Sequence, residues 1–257
     1  MHIELRDRTA IVTGAARGVG LAVATRMAEA GARVVLADIL ADPLYMAVET
    51  LLSQGCRVIA CHTDVASAAG NQAMVELARE KFGGVDIFHA NAAVMEFTQL
   101  DSMQPQEPDR MIDVNLKGTI HGCAAALPYM VRQRRGTILI TASVLASVGD
   151  PVLPIYGATK GGLRALCRSL AVNYGPHGIR CNTISPGDVR TPMFDHFIGQ
   201  APDPGAALKT IVDAYPLRRI AEADDIARLA VFLASDHASF ISGADIVVDG
   251  GLTAQCY

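Results

Sequence analysis

The 257-residue sequence has no dense basic block, no closely paired cysteines and no apolar run approaching the length of a membrane span. The nearest thing to a basic cluster is Arg132, Arg134 and Arg135, which fall where a helix should end. A helix C-terminus welcomes cations, so these read as a cap and no nucleic-acid partner is expected. Charged residues make up only 19% of the chain and the net charge is -4, which argues against long solvated tails. The six cysteines stand singly at 56, 61, 123, 167, 181 and 256. Cys56 and Cys61 share a predicted strand, but their odd spacing sends them to opposite faces. With no CxxC and no ligand spacing among the seven histidines, no metal is expected. Buried, reduced thiols of a cytoplasmic protein are the expected state. The N-terminal stretch Met1 to Arg8 mixes charges and lacks an apolar core, so no signal peptide is expected.

What the chain does have is apolar mass: 51% hydrophobic residues and a mean hydropathy of +0.28. The length suits one α/β domain, residues 1–257. Near-continuous apolar runs at Thr9–Val12, Arg33–Ala37, Arg57–Cys61, Val85–His89, Thr137–Thr141, Ile179–Ile184 and Asp245–Val248 read as parallel strands buried on both faces. Helical spacing lies between them, at Leu21–Ala30, Asp42–Gln54 and Gln72–Phe82, each followed by glycine. The alternation predicts an α/β fold: a doubly wound, Rossmann-type parallel sheet of about seven strands with helices on both faces. One stretch, Pro186–Pro216, is broken by proline and glycine and reads as irregular. Phe194, Phe197 and Ile198 lend it an apolar face, and it is read as a substrate lid over about 188–216.

The first strand runs into Thr13-Gly14-Ala15-Ala16-Arg17-Gly18-Val19-Gly20, which opens a helix. Glycines allow positive φ and close approach of a ligand, and the helix N-terminus offers unpaired N–H groups to a pyrophosphate. Gly14, Arg17, Gly18, Val19 and Gly20 are therefore candidate cofactor contacts. Asp38 ends the second strand, where a carboxylate accepts hydrogen bonds from an adenosine ribose and repels a 2′-phosphate. This favours NAD over NADP, with Arg17 as the opposing signal.

Tyr156-Gly157-Ala158-Thr159-Lys160 places a phenol and an ammonium on one helix face. Alone, such a pair is better explained by a solvated helix face. Beside a cation, however, a phenol titrates lower and becomes a usable base. Ser143, thirteen residues earlier, ends a predicted strand on the side where open α/β sheets bind ligands, and its hydroxyl can hold a substrate oxygen near Tyr156.

The Gly-x-x-x-Gly-x-Gly spacing, together with Ser143 and the Tyr156/Lys160 pair, resembles the short-chain dehydrogenase/reductase family over nearly the whole chain. The resemblance implies a catalytic set of Asn115, Ser143, Tyr156 and Lys160, with Asn115 holding a water that links Lys160 to solvent. It implies that Tyr156 and Lys160 also contact the cofactor, Lys160 through the nicotinamide ribose. Asp64, beside Val65, would pair with the adenine amino group; a strand-end turn or helix cap explains Asp64 as well. Pro186, Gly187, Val189 and Thr191 would cradle the nicotinamide carboxamide. Asn91 lies in Ala90-Asn91-Ala92-Ala93 where the family reads Asn-Asn-Ala-Gly, a departure expected to remove one sheet-stabilising hydrogen bond and add a methyl near the cofactor.

The implied activity is hydride transfer between NAD(H) and a secondary alcohol or ketone. The aromatic part of the lid suggests an apolar or ring-shaped substrate, while Asp188, Arg190 and Asp195 leave room for a polyol or sugar. The resemblance also implies a homotetramer, with Phe240–Thr253 near a subunit contact. The alternative is a non-catalytic dinucleotide-binding redox sensor or scaffold. Sugar epimerisation is disfavoured, because the sequence ends soon after its last predicted strand.

Overall fold

The structure, a computed structural model, describes residues 3–256. Met1 and His2, part of the N-terminal stretch read above, and Tyr257 lie outside it. Strands β1 (Thr9–Thr13), β2 (Arg33–Asp38), β3 (Arg57–His62), β4 (Ile87–Ala90), β5 (Gly136–Thr141), β6 (Ile179–Pro186) and β9 (Asp245–Val248) form one parallel seven-stranded sheet in the order β3-β2-β1-β4-β5-β6-β9. Strands β7 (Val189–Arg190) and β8 (Ala221–Glu222) pair separately. The order reverses between β1 and β4, the switch point where such sheets open a crevice at their carboxyl ends.

Helices α1 (Gly18–Glu29), α2 (Ala41–Ser53) and α9 (Ala223–Ala234) cover one face; α3 (Ala68–Phe82), α5 (Gly118–Gln133) and α6 (Pro154–Tyr174) cover the other. The period-2 alternation of the strands sorts the core between the faces. In β1, Ala10 and Val12 face α1, and Ile11 faces the opposite layer. In β2, Val34 and Leu36 go one way, Val35 and Ala37 the other. All seven of these side chains are fully buried. The three arginines at the end of α5 have separate local partners: Arg132 over the Tyr129 ring, Arg134 on the Pro176 carbonyl, and Arg135 on Asp86. Among the described residues, no helix is long and apolar enough to cross a membrane.

The stretch read as irregular is mostly helical: α7 spans Pro192–Ile198 and α8 spans Pro204–Ala214. Thr191 and Asp203 cap these helices by accepting bonds from Phe194 N and Ala206 N, and each cap is followed by proline. Proline at the first helical position starts a helix, because its missing N–H would have no intrahelical acceptor there. Phe194 and Ile198 pack with Tyr215 and Ile220 in a small satellite core, so much of the predicted apolar face is already buried.

Candidate active site

A cavity of about 1000 Å³ runs along the carboxyl ends of the strands. At one end it is lined by Gly14, Arg17, Gly18, Val19, Asp38, Asp64 and Val65, at the other by Ser143, Tyr156, Lys160 and the Pro186–Thr191 turn. Gly14 and Gly18 have φ of +66° and +58°, the region that favours glycine. Gly20 is needed for another reason: a Cβ there would sit 2.1 Å from the Gly14 carbonyl oxygen, so only glycine lets α1 close onto the loop. Asp38 is held rigidly, one oxygen accepting from Ala16 N at 2.9 Å and the other from Leu40 N at 3.0 Å. Arg17 lies exposed at the same end. Asp64 makes a strand-end turn by accepting from Ala66 N, which leaves its second oxygen for a ligand, so both readings of this residue are compatible.

Behind the glycine loop lies a ring of hydrogen bonds. Asn91 Nδ2 donates to the Thr13 carbonyl, and Asn91 Oδ1 accepts from Thr141 Oγ1. The Thr141 proton is thereby used, so His89 Nε2, 2.9 Å from that oxygen, carries the proton of their bond. Thr13 Oγ1 accepts from Asn91 N and Ala92 N and closes the ring with a long contact to the His89 carbonyl. The ring ties β1, β4 and β5 together at the cavity edge, where Ala90 replaces the family's first asparagine. Burial pushes the His89 imidazole down to about 3, and its Nδ1 has no partner among the described residues. The Thr141 carbonyl accepts from Lys160 Nζ at 2.8 Å, so the ring also fixes the anchor of that amine. Ala93, the family's glycine position, does line the cavity.

Tyr156 and Lys160 share a face of α6, with Nζ 5.4 Å from the phenol ring centre. Burial lowers Lys160 to about 7. Tyr156 moves the opposite way from the expectation above: burial, and then the charge of Asp188, push its hydroxyl up. Desolvation favours the neutral form of both groups and sets the direction of both shifts. Ser143 Oγ accepts from Leu145 N, so its proton remains to be donated. The Tyr156 hydroxyl has no protein partner among the described residues.

Asn115 sits in a π-turn, Ile112–Lys117, between the short helix α4 (Asp109–Met111) and α5. Its amide accepts from Val94 N and donates to the Val94 carbonyl and Thr159 Oγ1. Thr159 in turn donates to the Tyr156 carbonyl. Asn115 thus fastens the loop after β4 to the helix carrying Tyr156, with one side-chain lone pair left for a water.

Several cavity residues were not singled out from sequence. Asp150, Leu153 and Met193 line the cavity, beside the expected Phe197, which stacks on Phe97 at 4.9 Å. Tyr215 donates to Asp188 Oδ2 at 2.8 Å and accepts from Asp188 N at 2.6 Å. Burial pushes the Asp188 carboxyl up, the Tyr215 hydroxyl opposes that, and Asp150 adds to it. Arg190 and Asp195 are exposed, and Arg190 pairs with Glu222. The Thr191 hydroxyl donates to the Val189 carbonyl as well as capping α7.

The residues present fit a dinucleotide. A Cβ on Gly14 would come within 2.8 Å of Ala92 Cα, and one on Gly18 within 3.2 Å of Thr191 Cγ2, so the cradle exists only with glycine. Such a sheet, crevice and loop define a dinucleotide-binding protein of Rossmann type. The comparisons narrow this. The family model described as "Enoyl-(Acyl carrier protein) reductase" matches residues 14–253, and the chain belongs to the short-chain dehydrogenase/reductase family of oxidoreductases, whose members bind a nicotinamide dinucleotide. Among curated relatives, "Oxidoreductase UcpA" of Salmonella typhimurium is 38% identical over 253 residues, 97% of this chain and 96% of its own length. Among solved structures, levodione reductase superposes with a TM-score of 0.94 at 33% identity, covering 98% of this chain and 99% of its own. A gluconate 5-dehydrogenase from Burkholderia cenocepacia, solved with NADP and tartrate, superposes with a TM-score of 0.92 at 28% identity, covering 99% and 98%.

Proposed function

We propose that the protein is an NAD-dependent dehydrogenase that interconverts a secondary alcohol and a ketone. The observation that carries this reading is that Ser143, Tyr156 and Lys160 line the same cavity as the glycine loop and the backbone-pinned Asp38. When bound, the nicotinamide ring supplies the hydride acceptor or donor, so that alcohol and NAD⁺ give ketone, NADH and a proton. The chain's own groups handle the oxygen and its proton. Ser143 donates to the substrate oxygen; Tyr156, which burial keeps protonated, gives its proton to that oxygen in reduction, and in oxidation takes the hydroxyl proton after releasing its own through the Lys160 relay. A desolvated Lys160 near 7 is suited to exchanging protons at neutral pH. Asn115 positions the Tyr156 helix and offers its remaining lone pair to a relay water.

Gly14, Arg17, Gly18, Val19, Gly20, Asp38, Asp64 and Val65 make up the adenosine and pyrophosphate side. Asn91, Tyr156, Lys160, Pro186, Gly187, Val189 and Thr191 make up the nicotinamide side. The segment 188–216 acts as the substrate lid, moving as two helices. The reading includes a cytoplasmic location, supported by six unbridged cysteines. It also includes a homotetramer, supported by family membership and by the fully exposed Phe240. NADH formation followed by absorbance across a panel of secondary alcohols tests the activity; dinucleotide binding with no turnover of any alcohol or ketone refutes it.

A further inference from the structure

Beside Ser143 and Tyr156 the cavity combines apolar side chains with carboxylates. Leu153, Met193 and Phe197 form walls, while Asp188 and Asp150 bring carboxylates to the same cavity as Ser143 and Tyr156. Asp188 follows Pro186-Gly187 after β6, at the carboxyl end of the sheet. Its orientation is set by Tyr215, a side chain 2% exposed that bonds both its backbone N–H and its Oδ2. Gly187 makes this possible, since a Cβ there would lie 2.6 Å from the Tyr215 hydroxyl oxygen. Oδ1 has no protein partner among the described residues. Asp150 is held in a turn by Val152 N. The cavity's cations are committed or distant: Arg110 pairs with Glu96, Lys160 holds the Thr141 carbonyl, and Arg17 lies at the adenosine end. An acceptor so fixed, in apolar surroundings, recognises a donor and repels an anion.

We propose that Asp188, through its uncommitted oxygen, is the specificity-determining residue of this site, selecting alcohols with a hydrogen-bond donor near the carbinol and excluding those with a carboxylate there. This rests on the dehydrogenase reading above and names its substrate class. The donor is a hydroxyl or an ammonium, and the apolar walls favour a ring to carry it. Of the polar residues that sequence left open, Arg190 and Asp195 take no part, being exposed.

The test uses four matched rings: cyclohexanol, 1,2-cyclohexanediol, 2-aminocyclohexanol and 2-hydroxycyclohexanecarboxylate. The readout is kcat/KM for each with the full-length enzyme and saturating NAD⁺, for wild type and Asp188→Asn. Ratios between alcohols cancel changes in cofactor handling. A bond to a charged acceptor predicts a donor-bearing ring favoured over cyclohexanol by roughly tenfold or more, with the carboxylate ring disfavoured by a similar factor. Preference for the diol identifies a hydroxyl partner, and preference for the amino alcohol an ammonium. In Asp188→Asn the donor preference falls to within about threefold and the carboxylate ring gains, the carboxylate's charge being gone. Equal turnover of cyclohexanol and the donor-bearing rings in wild type overturns the proposal while leaving the dehydrogenase reading intact. So does an Asp188→Asn enzyme with unchanged ratios. No turnover of any ring, with dinucleotide bound, overturns both. The wild-type ratios decide the matter even if the variant does not fold.

Discussion

If the proposed NAD preference rests on Asp38, replacing Asp38 by Ser should make the enzyme permissive, mainly by improving NADP. The carboxylate is 8% exposed and held through both oxygens by Ala16 N and Leu40 N, so it cannot swing away from an incoming 2′-phosphate. That phosphate carries a charge of about -1.5 to -2. At an effective dielectric near 20, two unit charges ~4 Å apart repel by about 4 kcal/mol. Solvent and the exposed Arg17 reduce this, and a residual of about 2–3 kcal/mol corresponds to roughly a 30- to 150-fold preference for NAD. The Ser variant removes the charge but also strips two loop N–H groups of their acceptor, so NAD affinity falls while NADP affinity rises and the preference closes to within about fivefold. The assay is kcat/KM with both cofactors for wild type and variant, repeated at high salt, which screens the repulsion and narrows the wild-type preference. Equal efficiency with both cofactors in the wild type would show that Arg17, not Asp38, governs the site.

Tyr156→Phe keeps the ring and removes the proton acceptor; turnover should drop by roughly 10² or more with little change in dinucleotide affinity, and near-normal turnover sinks the assignment. Gly20→Ala puts a methyl 2.1 Å from a backbone oxygen, so dinucleotide titration should show at least about tenfold weaker binding and thermal melts a loss of stability. Gly83→Ala is the control: it meets nothing within 4 Å and carries only the cost of φ +88°, about 1–2 kcal/mol, with cofactor binding unchanged. His89, neutral with a folded value of about 3 against an unfolded ~6.5, keeps its stability contribution above pH 6.5 and loses about 1.4 kcal/mol per unit as pH falls from there toward 3. Urea unfolding of His89→Leu at fixed protein concentration should therefore have a shallower acid slope by about that amount, and an unchanged slope would remove His89 from the account.

Much of this molecule is written in short-range sequence patterns. The strands show as apolar runs because parallel strands are buried on both faces, and the seven predicted strands all form, with ends shifted by at most two residues. The glycine loop, Ser143 and the Tyr156/Lys160 pair were legible because their chemistry depends on spacings that one turn or one helix face imposes. The capped prolines of α7 and α8 carried a signal that the reading of this stretch as irregular missed: Thr191-Pro192 and Asp203-Pro204 are helix starts, taken as breaks when proline counts only as an interruption.

Other features exist only once distant segments meet. The ring of Thr13, His89, Asn91 and Thr141 requires β1, β4 and β5 side by side, and no local pattern marks a lone histidine in an apolar strand as one of its members. Asp188 and Tyr215 are 27 residues apart and become a fixed acceptor only through the packing of the satellite core. The titration of Tyr156 turned the same way: sequence supplies the neighbouring lysine, but tertiary structure supplies the burial and the facing carboxylate. Desolvation acts on both partners at once and sets the direction of each shift.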